Sequence, residues 1–169
     1  GGLFANLARM SKAGIPVIAI LHGSSTAGGA YMPGLSDYVI AVKGGGKAFL
    51  AGPPLLKAAT GEIATAEELG GAEMHASVTG LAEYLAENDE EAVLMAREVV
   101  RRLNWNAGCQ PPKLEAFDEP LYAPDEIAGV VPIDYRTPYD ARELLLRVVD
   151  GSDFSDFKPG YGSSMVCVQ

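Results

Sequence analysis

The chemistry this sequence can offer gathers in one short stretch, Thr26-Ala27-Gly28-Gly29-Ala30-Tyr31. Adjacent glycines at a helix start let another atom come close to the main chain, where first-turn N–H groups are bare and the positive end of the helix dipole stands behind them. That arrangement suits a developing oxyanion. The same residues also serve close helix-to-sheet packing or a plain turn, and phosphate cradling is a third use, although neither GxxxxGK[ST] nor GxGxxG occurs. On the residues alone, packing ranks first, oxyanion binding second and phosphate third. No side-chain nucleophile stands with a base: His22 and His75 are the only imidazoles, no Gly-x-Ser-x-Gly elbow occurs, and each His reads as a hydrogen-bonded structural residue. Cys109 and Cys167 lie far apart without CxxC spacing, so no metal site or disulfide framework is expected, and two unpaired thiols suit a reducing compartment.

The elements around this stretch follow from periodicity. Leu3, Leu7 and Met10 share one helical face, and Gly14 ends that helix near Ala13. Val17 to Leu21 and Tyr38 to Val42 are apolar runs without alternation, as strands covered on both faces require. Between them, residues 22–34 look too rich in Gly and Ser for a strand and fit a tight helix start. Residues 43–47 read as a turn, 48–51 as a short strand, and Leu55 to Thr60 as a helix with Pro54 in its first turn and Gly61 as its stop. Thr65 with Glu68 and Asn88 with Glu91 fit capping boxes, the second opening a long helix with Ala92, Ala96, Val99 and Leu103 on one face and Trp105 packing its end. Periodicity fails over 104–125, where Pro111, Pro112, Pro120 and Pro124 predict an extended connector. Beyond it, Ala141, Leu144, Leu145 and Val148 predict the buried side of a helix, and Phe154 to Phe157 and Met165 to Val168 two strands.

Composition bounds the function. At 169 residues, 48% hydrophobic and 21% charged, the chain is folded for most of its length. Its formal charge of −9 argues against nucleic acid and anionic membranes as partners. The longest apolar runs, five residues each, are far short of the roughly 18 that span a bilayer, so a soluble protein is expected. Residues 67–98 hold nine acidic groups and one base, Arg97, which reads as a solvated helical face. The chain opens on Gly1-Gly2 within the first expected helix and reads as an internal piece of a longer gene product.

Several ordered motifs then resemble one family. Ile15-Pro16-Val17-Ile18-Ala19-Ile20, Gly23-Ser24-Ser25-Thr26-Ala27-Gly28-Gly29-Ala30-Tyr31, Phe49-Leu50-Ala51-Gly52-Pro53-Pro54-Leu55, Lys57-Ala58-Ala59-Thr60-Gly61-Glu62 and Glu68-Leu69-Gly70-Gly71-Ala72 are similar to the carboxyltransferase (beta) subunits of biotin-dependent acyl-CoA carboxylases. Glu119 to Tyr122, Val148 to Ser152 and Phe154 to Tyr161 extend the resemblance over nearly the whole chain. The Gly52-Pro53-Pro54-Leu55 segment sides with the methylcrotonyl-CoA and geranyl-CoA branch, and Met74-His75-Ala76, Gly80 and Glu83 to Glu87 lean towards geranyl-CoA.

The resemblance implies an α/β, crotonase-like spiral of small sheets and helices. It places residues 1–104 in the first, acyl-CoA-binding half, 105–125 in a linker, and 126–169 at the start of a second, carboxybiotin-binding half. It makes the Gly28, Gly29 and Ala30 amides the oxyanion hole, with Thr26, Ala27, Tyr31, Gly52 and Pro53 lining the acyl-CoA cleft. Biotin would be carried by a biotin carboxylase or biotin carrier partner, acyl-CoA would be the substrate, and beta subunits would form a homo-oligomer in the cytoplasm, or in the mitochondrial matrix of a eukaryote. The rest of both oxyanion holes has no counterpart in this stretch of sequence. Two other functions fit less of it: a crotonase-like hydratase or isomerase without biotin, which needs catalytic carboxylates that residues 22–34 do not contain, and a non-catalytic assembly module.

Overall fold

The computed structural model describes residues 1–103, 105 and 117–169. The chain divides into two compact units, one of Gly1–Cys109 with Lys158–Ser163 and one of Gln110–Phe157 with Ser164–Gln169. Residues 104 and 106–116 of the expected connector, and Cys109, lie outside the described residues.

The first unit opens with α1 (Gly2–Lys12), which stops at Ala13 as Gly14 takes φ +69°, a left-handed angle that glycine adopts freely. Of its expected apolar face only Leu7 is buried; Leu3 is 52% exposed. Then follow β1 (Ile18–Leu21), β2 (Ser24–Thr26), a 3₁₀ turn Ala27–Ala30, α2 (Tyr31–Gly34), β3 (Tyr38–Val42), β4 (Lys47–Phe49) and α3 (Pro53–Thr60). After α3 come α4 (Ala66–Gly70), α5 (Ala72–Met74), a π turn His75–Thr79, β5 (Tyr84–Ala86) and α6 (Asp89–Arg102). β2 corrects the sequence expectation that residues 22–34 contain no strand. Its three small polar residues carry no strand pattern, and pairing with β4 is what extends them. That partner runs over 47–49 rather than 48–51.

All pairings between these strands are parallel: β1, β3 and β5 form one sheet with β3 in the middle, β2 and β4 another. β3 explains its unbroken apolar run. Side chains alternate across a strand, so Val39 and Ala41 enter a cluster with Leu21, Ala48, Ala72 and Ala76, while Ile40 and Val42 enter another with Ala86 and Ala92 from α6. Two glycines are there for packing. A Cβ on Gly46 would lie 2.2 Å from the Leu21 carbonyl oxygen, and one on Gly70 2.1 Å from that of Ala48.

Caps settle the helix starts. Thr65 and Glu68 form the reciprocal box at α4, Thr65 Oγ1 accepting from the Glu68 N–H at 3.2 Å and Glu68 Oε2 from the Thr65 N–H at 2.8 Å. At α6, Asn88 accepts from the Glu91 N–H, but the Glu91 carboxylate takes the Glu87 N–H at 2.7 Å, so half of the expected box is displaced by one residue. Trp105 does not pack the end of α6 alone: its indole N–H donates to the Gly14 carbonyl at 3.0 Å, beyond α1, beside Leu103.

The second unit contains α7 (Ile127–Val130) and α8 (Arg142–Leu145). The helix expected after Asp140 is a single turn with Val148 64% exposed, because the buried place on that stretch goes to Arg147. Its guanidinium binds Glu126 at 2.9 Å and Glu143 at 3.0 Å and lies 5.2 Å over the Tyr122 ring, so the charge goes inside with its partners. In place of two strands, a single antiparallel bridge joins Asp156 to Val168.

Candidate functional site

The site begins where β2 ends. Thr26 is extended, at φ −116° and ψ 155°. Ala27 then turns through φ +50°, a left-handed angle that costs a residue with a Cβ, and the 3₁₀ turn and α2 follow at once. Strain of this kind, roughly 1–3 kcal/mol, collects at sites that hold ligands. Neither Gly28 nor Gly29 has a positive φ, so the pair is not there for its backbone freedom.

Space tells the glycines apart from packing glycines. A Cβ on Gly28 would meet nothing within 4 Å, and one on Gly29 would meet only the Ser25 hydroxyl at 3.2 Å. Close helix-to-sheet packing, the first use of this motif on residue types alone, is therefore not what Gly28 does. Its surroundings are open, as Gly46 and Gly70 are not.

The parallel pairing of β2 with β4 sets Thr26 opposite Phe49, so the chain leaves both strands at the same end of one small sheet. From that end Ala27–Ala30 leads into α2, and Gly52, extended at ψ 170°, leads into Pro53 at the first turn of α3. Two helix starts thus share one rim. Thr26, Ala27 and Gly28 are exposed there, whereas Gly29, Ala30, Gly52 and Pro53 are half-buried. Tyr31 is half-exposed, with its ring edge-on to Phe4 at 5.6 Å between centroids.

The histidines divide. His75 is buried, its Nε2 2.7 Å from the Ala48 carbonyl and its Nδ1 2.8 Å from Thr79 Oγ1. A carbonyl only accepts, so Nε2 carries the proton and the ring ties the π turn to β4. His22 departs from the structural role expected of it: its side chain is 69% exposed and 3.8 Å from the Asp89 carboxylate, too far for a hydrogen bond.

Sequence reasoning missed Glu83. Its carboxylate is buried, accepts from the Val39 N–H at 2.6 Å and lies 3.1 Å from Lys158 Nζ, which also donates to the Gly80 carbonyl at 2.6 Å. Tyr161 covers Gly80, where a Cβ would stand 3.1 Å from its ring. A single acid in the run Leu81-Ala82-Glu83-Tyr84-Leu85 was the available signal. Among the described residues, no group of three or more His, Cys, Asp or Glu is placed to hold a metal ion, and no helix is long and apolar enough to cross a membrane.

Short parallel strands in two small sheets, with β2 and β4 leading from the same sheet end into the segments that start α2 and α3, make an α/β fold of the crotonase-like kind. Residues 1–168 match the carboxyl transferase domain family, and the chain belongs to it. It is 53% identical over 166 residues to the Mycobacterium tuberculosis protein named "Probable biotin-dependent acyl-coenzyme A carboxylase beta2 subunit", covering 98% of this chain and 31% of that one. The beta subunit of Pseudomonas aeruginosa geranyl-CoA carboxylase is 57% identical, with a TM-score of 0.56 over 98% of this chain and 30% of that one. The transcarboxylase 12S subunit, solved as a hexamer with methylmalonyl-coenzyme A bound, is 34% identical with a TM-score of 0.79, covering 90% of this chain and 30% of its own. The chain thus spans about three-tenths of the length of the relatives it matches.

Proposed function

We propose that this chain is the middle part of the carboxyltransferase (beta) subunit of a biotin-dependent acyl-CoA carboxylase, and that the complete subunit is an enzyme that carboxylates an acyl-CoA of the methylcrotonyl or geranyl type. The observation that carries the reading is the family match from residue 1 to 168. The open space over Gly28 supports it.

In this reading the N–H groups of Gly28, Gly29 and Ala30 take the thioester oxygen. Negative charge grows on that oxygen as the carbon-bound proton leaves, so fixed donors stabilise the transition state more than the bound ester. One such donor is worth about 3–4 kcal/mol of barrier in comparable sites. Thr26, Ala27, Tyr31, Gly52 and Pro53 line the cleft. Biotin, carried by a partner subunit or domain, supplies the carboxyl group and the nitrogen base. None of these residues is required to hold it. The absence of a carboxylate over residues 22–34 agrees with that division of labour.

We further assign residues 1–104 to the first half of the subunit, 105–125 to a linker and 126–169 to the opening of the second half. The partners are then a biotin carboxylase or biotin carrier and other beta subunits, in the cytoplasm or the mitochondrial matrix. The test uses the complete gene product with its biotin-bearing partner, ATP and labelled bicarbonate. Label entering 3-methylcrotonyl- or geranyl-CoA, and blocked by avidin, is the expected result. Hydration of an enoyl-CoA with no fixation of label would overturn the reading in favour of a biotin-independent enzyme; acyl-CoA binding without any turnover would favour an assembly module.

A further inference from the structure

The first unit takes back six residues from late in the chain. Lys158–Ser163 belong to it, while the residues on either side, Gln110–Phe157 and Ser164–Gln169, belong to the second unit. Left-handed angles stand near both ends of this segment, φ +52° at Lys158 and +66° at Gly162. Such an angle costs a residue with a Cβ, so Lys158 keeps it only if something holds it there. The hold is polar: its Nζ lies 3.1 Å from the buried Glu83 carboxylate and donates to the Gly80 carbonyl at 2.6 Å. Gly80, at φ +67°, sits under the Tyr161 ring, and a Cβ on Gly160 would stand 3.3 Å from the Ala76 carbonyl oxygen. These contacts all fall on residues 76–83, from the π turn to the entry of β5.

That stretch packs on the face of β3 with the smaller side chains. Five of the seven buried residues clustered there are alanines, Ala41, Ala48, Ala72, Ala76 and Ala82, beside Leu21 and Val39. The other face packs Ile40 and Val42 with Ala92 and Met95 of α6. Hydrophobic stabilisation follows buried apolar area, so the alanine face holds less tightly per residue and depends more on polar ties. Besides those of Lys158, the ties are Glu83 to the Val39 N–H at 2.6 Å and His75 Nε2 to the Ala48 carbonyl at 2.7 Å, the second of which reaches β4.

We propose that Lys158–Ser163 is a latch: it fastens residues 75–83 to β3 and, through His75, to β4, and when it lifts this layer opens as one unit while β3 stays packed on α6. A layer of small side chains fixed by a few polar groups is the kind that opens at a lower free energy than global unfolding. Lys158 controls the opening because the closed layer buries the Glu83 carboxylate, which needs its cation there and finds water once the layer is open. The device is thus independent of the reaction the complete protein performs.

The experiment is hydrogen–deuterium exchange of the complete gene product, read by mass spectrometry on peptides covering 75–83 and 92–102. In the wild-type protein, the slowest amides of 75–83 are expected to exchange together and about tenfold or more faster than the slowest of 92–102. Lys158→Met removes a contact that the opened and the unfolded states both lack, so it speeds both stretches, by roughly 100-fold; Lys158→Arg, which keeps the cation, restores most of the protection. Ile40→Val lies on the face that stays closed, so it speeds 92–102 by about fivefold and leaves 75–83 unchanged. One common wild-type rate, or an Ile40→Val effect shared by both stretches, would mean that the first unit opens as a single body, and overturns the proposal. So does exchange at 75–83 that Lys158→Met leaves unmoved. Where Lys158→Met does not fold, Tyr161→Ala decides: its side chain is half-exposed, so the variant folds, and the latch requires faster exchange at 75–83.

Discussion

Gly28→Val separates the oxyanion assignment from every structural use of the glycine pair. A Cβ at this position meets nothing within 4 Å, and the backbone is outside the left-handed region, so the substitution meets neither a clash nor a forbidden angle. Valine is a few tenths of a kcal/mol better than glycine inside a helix, so thermal stability should stay level or rise slightly. Activity should behave in the opposite way. In the proposed reading, the new methyl groups occupy the space through which a thioester oxygen would reach the N–H groups of Gly28 and Gly29, and losing one such donor costs about 10²–10³ in turnover, or roughly 3–4 kcal/mol. Because the bond strengthens as charge develops, the loss falls on kcat/KM and on kcat, with ground-state affinity changed less. Melting temperature and steady-state carboxylation are measured on one preparation of the complete gene product. A folded Gly28→Val protein with wild-type kcat/KM would refute the assignment. Gly29→Val is the less clean probe, since its Cβ lies 3.2 Å from Ser25 Oγ and the hydroxyl has to move.

Gly46→Ala makes the contrasting case: its Cβ would fall 2.2 Å from the Leu21 carbonyl oxygen, so urea melts should show a loss of at least about 2 kcal/mol from backbone overpacking. Lys158→Met strands the buried Glu83 carboxylate and should lower stability by about 3 kcal/mol, with Glu83→Gln in the same chain recovering part of it; an additive double variant would deny the pairing. Thr65→Ala removes the cap of α4 and should cost about 1 kcal/mol in the same melts. The hydrogen bond from Arg101, with Arg102 adding to it, holds the Glu98 carboxyl down to about 2 from its ordinary 4.5. A folded-state value below the unfolded one stabilises above the unfolded value and is lost as the pH falls towards the folded one, so Glu98→Gln should flatten the urea midpoint between about pH 4.5 and 2, an effect that added salt weakens.

Much of the first unit could be read from the sequence because local rules and tertiary packing agree there. Tyr38 to Val42 shows as a strand because its apolar side chains on successive positions need cover on two faces, and α5 with the π turn on one side and α6 on the other give that cover. Gly61 stops α3 with φ +80°, and Thr65 with Glu68 opens α4, each through bonds within a few residues. The family was legible for another reason: several glycine-containing motifs stand in a fixed order, each weak by itself. What the sequence could not decide depends on partners distant along the chain. Ser24–Thr26 becomes a strand only because β4 lies beside it, and that pairing puts two helix starts on one rim. The left-handed angle falls on Ala27 rather than on either glycine because the turn out of β2 demands it at that residue, leaving Gly28 open instead of packed. Arg147 goes inside in place of Val148, since Glu126, Glu143 and the Tyr122 ring converge on its guanidinium. Hydrophobic periodicity marks which residues avoid water; where a buried charge finds its counter-charge, and where a main-chain amide stays uncovered, is decided by the fold.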